Sequence, residues 1–343
     1  MTAAGILRLG PVLLCAALLD GCAGPNFQLA DLPSEPMALV SRTREESEHR
    51  AEILARAEEE PAPWRPGVAL VRLEDVGDFL GLGRSAEEKR ADFLGKMAFL
   101  DARTGEAERL VFAPRGARPL DWSRDRQLLL YQAPVSGDRE HVFEYDRRSD
   151  VVRPIARGSH VYKGASYGPD GRIALARFDP REGDAARSRI FVTQPGGVSP
   201  RPVTPGPVDT WPVWSPDGNV LIYSSIDEAG RAVIRAIDPL KGGESRLVAR
   251  GVEPAFSPKG DWVVYSAKRR GRWMIWRARP DGSGKHPIGS SAREERDPTV
   301  SPDGRFIVYV AEENGYQRLM VRPLDGSGDR PLLRSGDGIL PVW

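Results

Sequence analysis

From Leu120 onward the apolar residues fall into short, nearly continuous runs separated by turn-forming clusters, and the arrangement recurs. Val220-Leu-Ile-Tyr223, Trp262-Val-Val-Tyr265 and Phe306-Ile-Val-Tyr309 each follow one frame. The frame reads Pro212-Val-Trp-Ser-Pro-Asp-Gly218, Pro254-Ala-Phe-Ser-Pro-Lys-Gly260 and Pro298-Thr-Val-Ser-Pro-Asp-Gly304. Runs so short and so apolar predict strands covered on both faces. In each frame a strand ends at the bulky residue. Ser-Pro-Asp-Gly then turns the chain, with Pro presetting φ and Gly accepting a positive one. Weaker copies stand at Leu120-Asp-Trp-Ser-Arg-Asp-Arg126 and Ala165-Ser-Tyr-Gly-Pro-Asp-Gly171. The bulky residues Trp122, Tyr167, Trp214, Phe256 and Val300 are spaced by 45, 47, 42 and 44 residues, and Pro341-Val-Trp343 falls 43 further on. Strand-rich units at this period predict an all-β protein, a six-bladed β-propeller with one blade per repeat.

Upstream the pattern thins. Gly67–Leu73, Met97–Asp101 and Leu110–Ala113 read as the second, third and fourth strands of a first blade, with an insertion, Glu74–Gly95, between them. Within that insertion Ser85-Ala-Glu-Glu88 has capping-box spacing and predicts a short helix. The inner strand of this blade is expected from residues 340–343, which would close the ring, or else from near Trp64. Met37–Glu60 reads as an exposed helix capped by Ser34, either a stalk or docked on the propeller. The expected division is therefore a signal peptide at 1–21, a tether and exposed helix at 22–63, and the propeller at 64–343.

The Pro-x-Trp-Ser-Pro-Asp-Gly frame, an apolar strand ending in Tyr-Ser and a Leu-Asp-Gly-Ser-Gly turn resemble the WD40-like repeat of TolB and its relatives. The resemblance covers roughly Trp122 to Trp343, with weaker support back to about Arg65. It implies a propeller that holds a protein or peptide partner in the bacterial cell envelope. The chain departs from TolB in one respect: Ala23–Arg65 is too short for the α/β domain that precedes the TolB propeller.

The N-terminus fits that setting. Pro11–Leu19 is too short to cross a bilayer and has the proportions of a signal-peptide core. Gly21-Cys22 resembles the end of a lipobox, which makes Cys22 the candidate acylation site; an ordinary cleaved signal is the alternative. A lipid anchor would place the protein on the membrane, facing the periplasm, with the outer membrane favoured. Cys15 would leave with the signal, so the mature chain would hold no thiol for a disulfide or metal.

Composition adds exclusions. Net charge is +1, which argues for no nucleic acid partner. The 36 Gly and 30 Pro belong to repeated turns rather than to disorder. Gly164-Ala-Ser-Tyr-Gly168 matches a nucleophile pattern, but that chemistry needs a helix after the Ser, and Pro169-Asp-Gly171 makes a turn. His49, His141, His160 and His286 show no ligand spacing, so no metal and no cofactor are expected. Lys268-Arg-Arg-Gly-Arg-Trp273 is a dense basic run placed in a loop between strands, where solvated charge is ordinary.

A non-catalytic binding scaffold is thus the leading class, and a monomer is expected. A propeller hydrolase or lyase, or a regulatory module of an envelope enzyme, is the alternative. The residues three and four places before each bulky marker must lie where the chain enters the channel. They give Arg118, Lys163, Trp211, Glu253, Arg296 and Asp297 as candidate partner-binding positions, with Trp211 as the anchor.

Overall fold

A computed structural model describes residues 27–59, 96–110, 113–136, 139–156, 160–178, 188–289, 292–313, 316–333 and 337–343. Among these residues are six four-stranded antiparallel sheets, the blades of one propeller. Blade two begins with Arg118–Trp122, blade three with Val161–Tyr167, blade four with Thr210–Trp214, blade five with Val252–Phe256 and blade six with Glu294–Val300. Each of these is the innermost strand, and the chain then proceeds outward. The apolar second strands are buried as expected: Tyr223, Tyr265 and Tyr309 are among the largest fully buried side chains. Covering one such side chain contributes ~1.5–3 kcal/mol.

The turns explain both the motif and its exceptions. In blade four the Ser215 hydroxyl donates to Asp217 Oδ1 (2.6 Å) and accepts the Val220 N–H (2.9 Å), while Gly218 sits at φ 76°. In blade five Lys259 stands where the others carry Asp, and Ser257 donates instead to Asp261 (2.7 Å). Blade two has no Gly in its turn, and Arg126 takes the left-handed conformation at φ 58°. That residue type costs ~1–2 kcal/mol there.

Blade one is assembled from both ends of the described chain. Its inner strand is Asp337–Val342, paired with Met37–Arg42, then Lys96–Asp101 and Glu106–Arg109. The Trp122 indole donates to the Val342 carbonyl (3.2 Å), and the Trp343 indole to the Glu35 carbonyl (3.0 Å). These bonds tie blade one to blade two and to its own entering chain.

Three expectations change here. Met37–Arg42 is a strand and not the start of a helix; its Met-Ala-Leu-Val run is buried on both faces, as a middle strand requires. The second strand was expected at Gly67–Leu73, which lies outside the described residues, as do Glu74–Gly95, the boundary at 63/64 and the signal region 1–21. The fourth strand comes at Glu106–Arg109 and not at Leu110–Ala113, because Asp101 closes a tight turn by accepting the Arg103 N–H (2.9 Å).

The helix, α1 (Arg44–Glu59), is capped by Thr43 and not by Ser34. Thr43 Oγ1 accepts the Glu46 N–H (3.2 Å), and Glu46 accepts the Thr43 N–H (2.8 Å), a reciprocal capping box. It follows the second strand of blade one and docks on the propeller face that carries the hairpins between second and third strands. Buried Arg50 bonds Glu312 of blade six (3.3 Å), and Arg115 reaches Glu46 (3.3 Å). No helix among the described residues is long and apolar enough to cross a membrane. On the opposite face, that of the Ser-Pro-Asp-Gly turns, Phe27 packs on Phe306 with ring centroids 5.2 Å apart, and Arg305 bonds the Asp31 carbonyl (2.9 Å).

Candidate binding site at the channel mouth

The six inner strands enclose a channel of about 1130 Å³. Its wall has a repeated irregularity. Each inner strand loses register with its neighbour partway along, as at Tyr162/Ala165, Thr210/Val213, Val252/Ala255 and Arg296/Thr299. The residue three places before the marker takes positive φ in five blades: Gly164 (98°), Trp211 (49°), Glu253 (55°), Asp297 (51°) and Leu340 (51°). In blade two the equivalent residue is Pro119, whose ring forbids that conformation. These are β-bulges. Proline after the bulge residue, at Pro212, Pro254, Pro298 and Pro341, cannot donate to a ladder, and a bulge is where an inner strand tolerates it.

The candidate positions therefore fall on the bulges or one residue before them. Bulge residues of adjacent blades touch at two places, Gly164 with Trp211 and Glu253 with Asp297. A Cβ on Gly164 would stand 2.9 Å from Trp211 Cα and 3.0 Å from its ring, so the absent side chain makes room for the indole. Trp211 is half-buried there and lines the channel.

Glu253, Arg296 and Asp297 form one cluster across blades five and six. Arg296 Nη2 donates to Glu253 Oε1 (2.5 Å), while Ser266 Oγ (2.7 Å) and the Asp297 N–H (3.0 Å) donate to Oε2. Burial pushes the Glu253 carboxyl up, but the Arg296 charge and these donors outweigh it and hold it below the ordinary value. Arg296 also lies over the Trp273 ring, 4.5 Å from its centroid. Arg118 lines the channel with its guanidinium on Glu140 (2.6 Å). Lys163 is half-buried and is not part of the channel lining.

Sequence reasoning passed over Asp121. Its carboxylate accepts Ser166 Oγ (2.9 Å) and the Tyr167 N–H (2.8 Å), and Ser166 Oγ accepts the Trp214 N–H (3.2 Å). Blades two, three and four are thus joined by one relay. Burial raises the Asp121 carboxyl to about 6 despite those donors and nearby Arg126. The signal was available: of the residues just before the six markers, only Asp121 can ionise. The relay also disposes of the nucleophile pattern. Ser166 is buried in an inner strand with its hydroxyl committed to Asp121 and Trp214, and Tyr167 leads into a turn. Among the described residues no group of three or more His, Cys, Asp or Glu side chains could hold a metal ion.

No family model matches the chain. It is 34% identical over 182 residues to an uncharacterized protein of Agrobacterium fabrum, covering 50% of this chain and 58% of that one. It is 27% identical over 165 residues to the uncharacterized peptidase YuxL of Bacillus subtilis, covering 37% of this chain and 25% of the peptidase. The chain thus spans less than two thirds of either relative. Among solved structures, a putative TolB from Agrobacterium tumefaciens superposes with a TM-score of 0.59 at 24% identity, covering 68% of this chain and 86% of that one. TolB from Acinetobacter baumannii gives 0.63 at 16% identity, covering 92% and 68%. The fold is that of a TolB-like six-bladed β-propeller.

Proposed function

We propose that this protein is a non-catalytic scaffold of the bacterial cell envelope that binds a protein or peptide partner at its channel mouth and is held to the membrane by an acylated Cys22. The observation that carries the reading is the ring of bulges. A repeated frame fixes the backbone, and the residue displayed at each equivalent position differs: Gly164, Trp211, Glu253, Asp297 and Leu340. Five strained or glycine-bearing bulges around one opening are a scaffold for varied side chains, and strain of this kind collects at functional positions. Trp211 supplies the aromatic anchor. Arg118 adds a channel-lining cation on blade two, and the Glu253–Arg296–Asp297 cluster shapes the wall at blades five and six.

A propeller hydrolase or lyase is the alternative, and the stretch shared with YuxL speaks for it only as far as the repeat, since it is a quarter of that peptidase. Ser166, the one serine in a nucleophile-like pattern, has its hydroxyl committed within the wall.

The test is capture from envelope extract by wild type, Trp211→Ala and Arg118→Ala, each checked by melting temperature. Loss of one specific partner with Trp211→Ala, at an unchanged melting temperature, supports the mouth as the site. Equal capture by all three forms overturns it. For the anchor, Cys22→Ala should move the protein from the membrane fraction to the soluble one, because stable attachment needs the lipid chains; equal fractionation overturns acylation.

A further inference from the structure

The channel mouth on the hairpin face is uneven in charge. In blade five the strands Val263–Arg269 and Arg272–Ala278 are joined by a two-residue loop, Arg270-Gly271, with Arg269 opposite Arg272. Lys268, Arg269, Arg270 and Arg272 crowd this tip, and all are exposed. Among the described residues Arg269 and Arg270 have no ion-pair partner. Lys268, Gly271 and Trp273 line the channel, so the tip is continuous with the mouth. Lys268 lies over the Trp273 ring, 5.2 Å from its centroid, and Arg296 approaches the same ring.

The loop conformation is informative. Arg270 (φ 53°) and Gly271 (φ 83°) both have positive φ, the requirement of the tight hairpin turn that Asn-Gly fills best. A long side chain at Arg270 is an unfavourable choice for that backbone, and it places a cation at the tip of a rigid hairpin. Strain that serves no local bond points to a role in recognition.

We infer that the blade-five hairpin is the docking contact for an acidic segment of the partner, which then continues into the channel past Trp273 toward Trp211. This deepens the proposed function and rests on it. The neighbouring tips favour a short acidic run over a flat polyanion. Blade six presents exposed Glu313 and blade four presents exposed Glu228, whereas Glu312 and Asp227 beside them are already paired with Arg50 and Arg231. A membrane surface or a nucleic acid duplex would meet these carboxylates together with the cations. A narrow acidic strand can contact the cations alone.

The experiment measures binding of a fluorescein-labelled hexaglutamate peptide to the full chain at about 20 mM salt and again at about 200 mM, where screening is stronger. Phosphatidylglycerol vesicles and a DNA duplex serve as competing probes. The variant Arg269→Ser/Arg270→Asn removes both unpaired cations while giving the turn its preferred residue. Wild type should bind hexaglutamate at low salt and release it at high salt. The variant should bind at least roughly tenfold more weakly with an equal or higher melting temperature, so unfolding cannot explain the loss. Equal binding by both forms, no binding at low salt, or a preference for vesicles or DNA over the peptide overturns the inference. Trp211→Ala keeps the hairpin intact and separates the two readings. If capture from envelope extract depends on Trp211 but not on the hairpin, the inference fails and the proposed function stands. If hexaglutamate binds through the hairpin while Trp211→Ala captures normally, the mouth reading fails.

Discussion

Where blades two, three and four meet, the channel wall is held by a relay from Asp121 through Ser166 to the Trp214 N–H. Where blade five meets blade six, it is held by Glu253, gripped by Arg296, Ser266 and the Asp297 N–H. Both junctions use one carboxylate, and the two carboxylates shift in opposite directions. Asp121 is half-buried beside neutral donors, and Arg126 is too weak a counter-charge to restore its ordinary value. Glu253 is half-buried too, but with a guanidinium in direct contact, and it falls below its ordinary value. A carboxylate can join two blades with or without a paired cation; the cation decides whether the joint strengthens or weakens as pH rises.

The largest effect should come from breaking the ionic joint. Glu253→Ala takes from Arg296 its contact with Glu253 and removes the acceptor of Ser266 and the Asp297 N–H, which should cost ~3 kcal/mol in urea unfolding. Glu253→Gln, which keeps an acceptor, should cost less. If the two substitutions cost the same, the charge is not what holds that joint.

Next comes the contact between bulges. Gly164→Val forces a branched side chain into positive φ and onto the Trp211 backbone, where no flexible atom can give way. About 2 kcal/mol should be lost, with a shift in tryptophan fluorescence as the Trp211 ring moves. An unchanged spectrum would mean that Trp211 does not rest on Gly164.

Ser166→Ala removes two hydrogen bonds from the relay and should cost ~1–2 kcal/mol without altering the pH profile of the Glu253 joint. A double substitution with Glu253→Gln should be additive, since the two joints share no partner.

The smallest effect is on pH dependence. Asp121 is raised in the fold, so its contribution favours the folded state below its unfolded value near 3.8 and is lost as pH rises toward about 6. Glu253 is lowered, so its contribution is present above its ordinary carboxyl value and is lost as pH falls through its folded value. Asp121→Asn should therefore flatten the dependence of the melting temperature on pH between about pH 4 and pH 6, and leave the acid limb set by Glu253 in place. A variant curve parallel to wild type across that window would show that Asp121 is not raised.

Much of this was legible in the chain. The period of the Ser-Pro-Asp-Gly frame and the doubly apolar second strands specify blades, because a strand covered on both faces has few other places to pack. Inner-strand prolines at fixed positions marked the bulges, although reading them needed the knowledge that those strands pair. Blade one was misread because Met37–Arg42 is too short for periodicity to separate strand from helix; the capping pair Thr43 and Glu46 was the better guide to where α1 starts.

By itself, then, the sequence determined the repeat, the turn chemistry, the number of blades and, Lys163 excepted, the expected positions that line the channel, because each is a local pattern repeated at constant spacing. Only the tertiary structure decided what those positions do to one another. That Glu253 is spoken for by Arg296, that Gly164 exists to seat Trp211, and that Asp121 binds three blades together through Ser166 are contacts between residues 43 to 48 positions apart, set by ring closure and the burial it imposes.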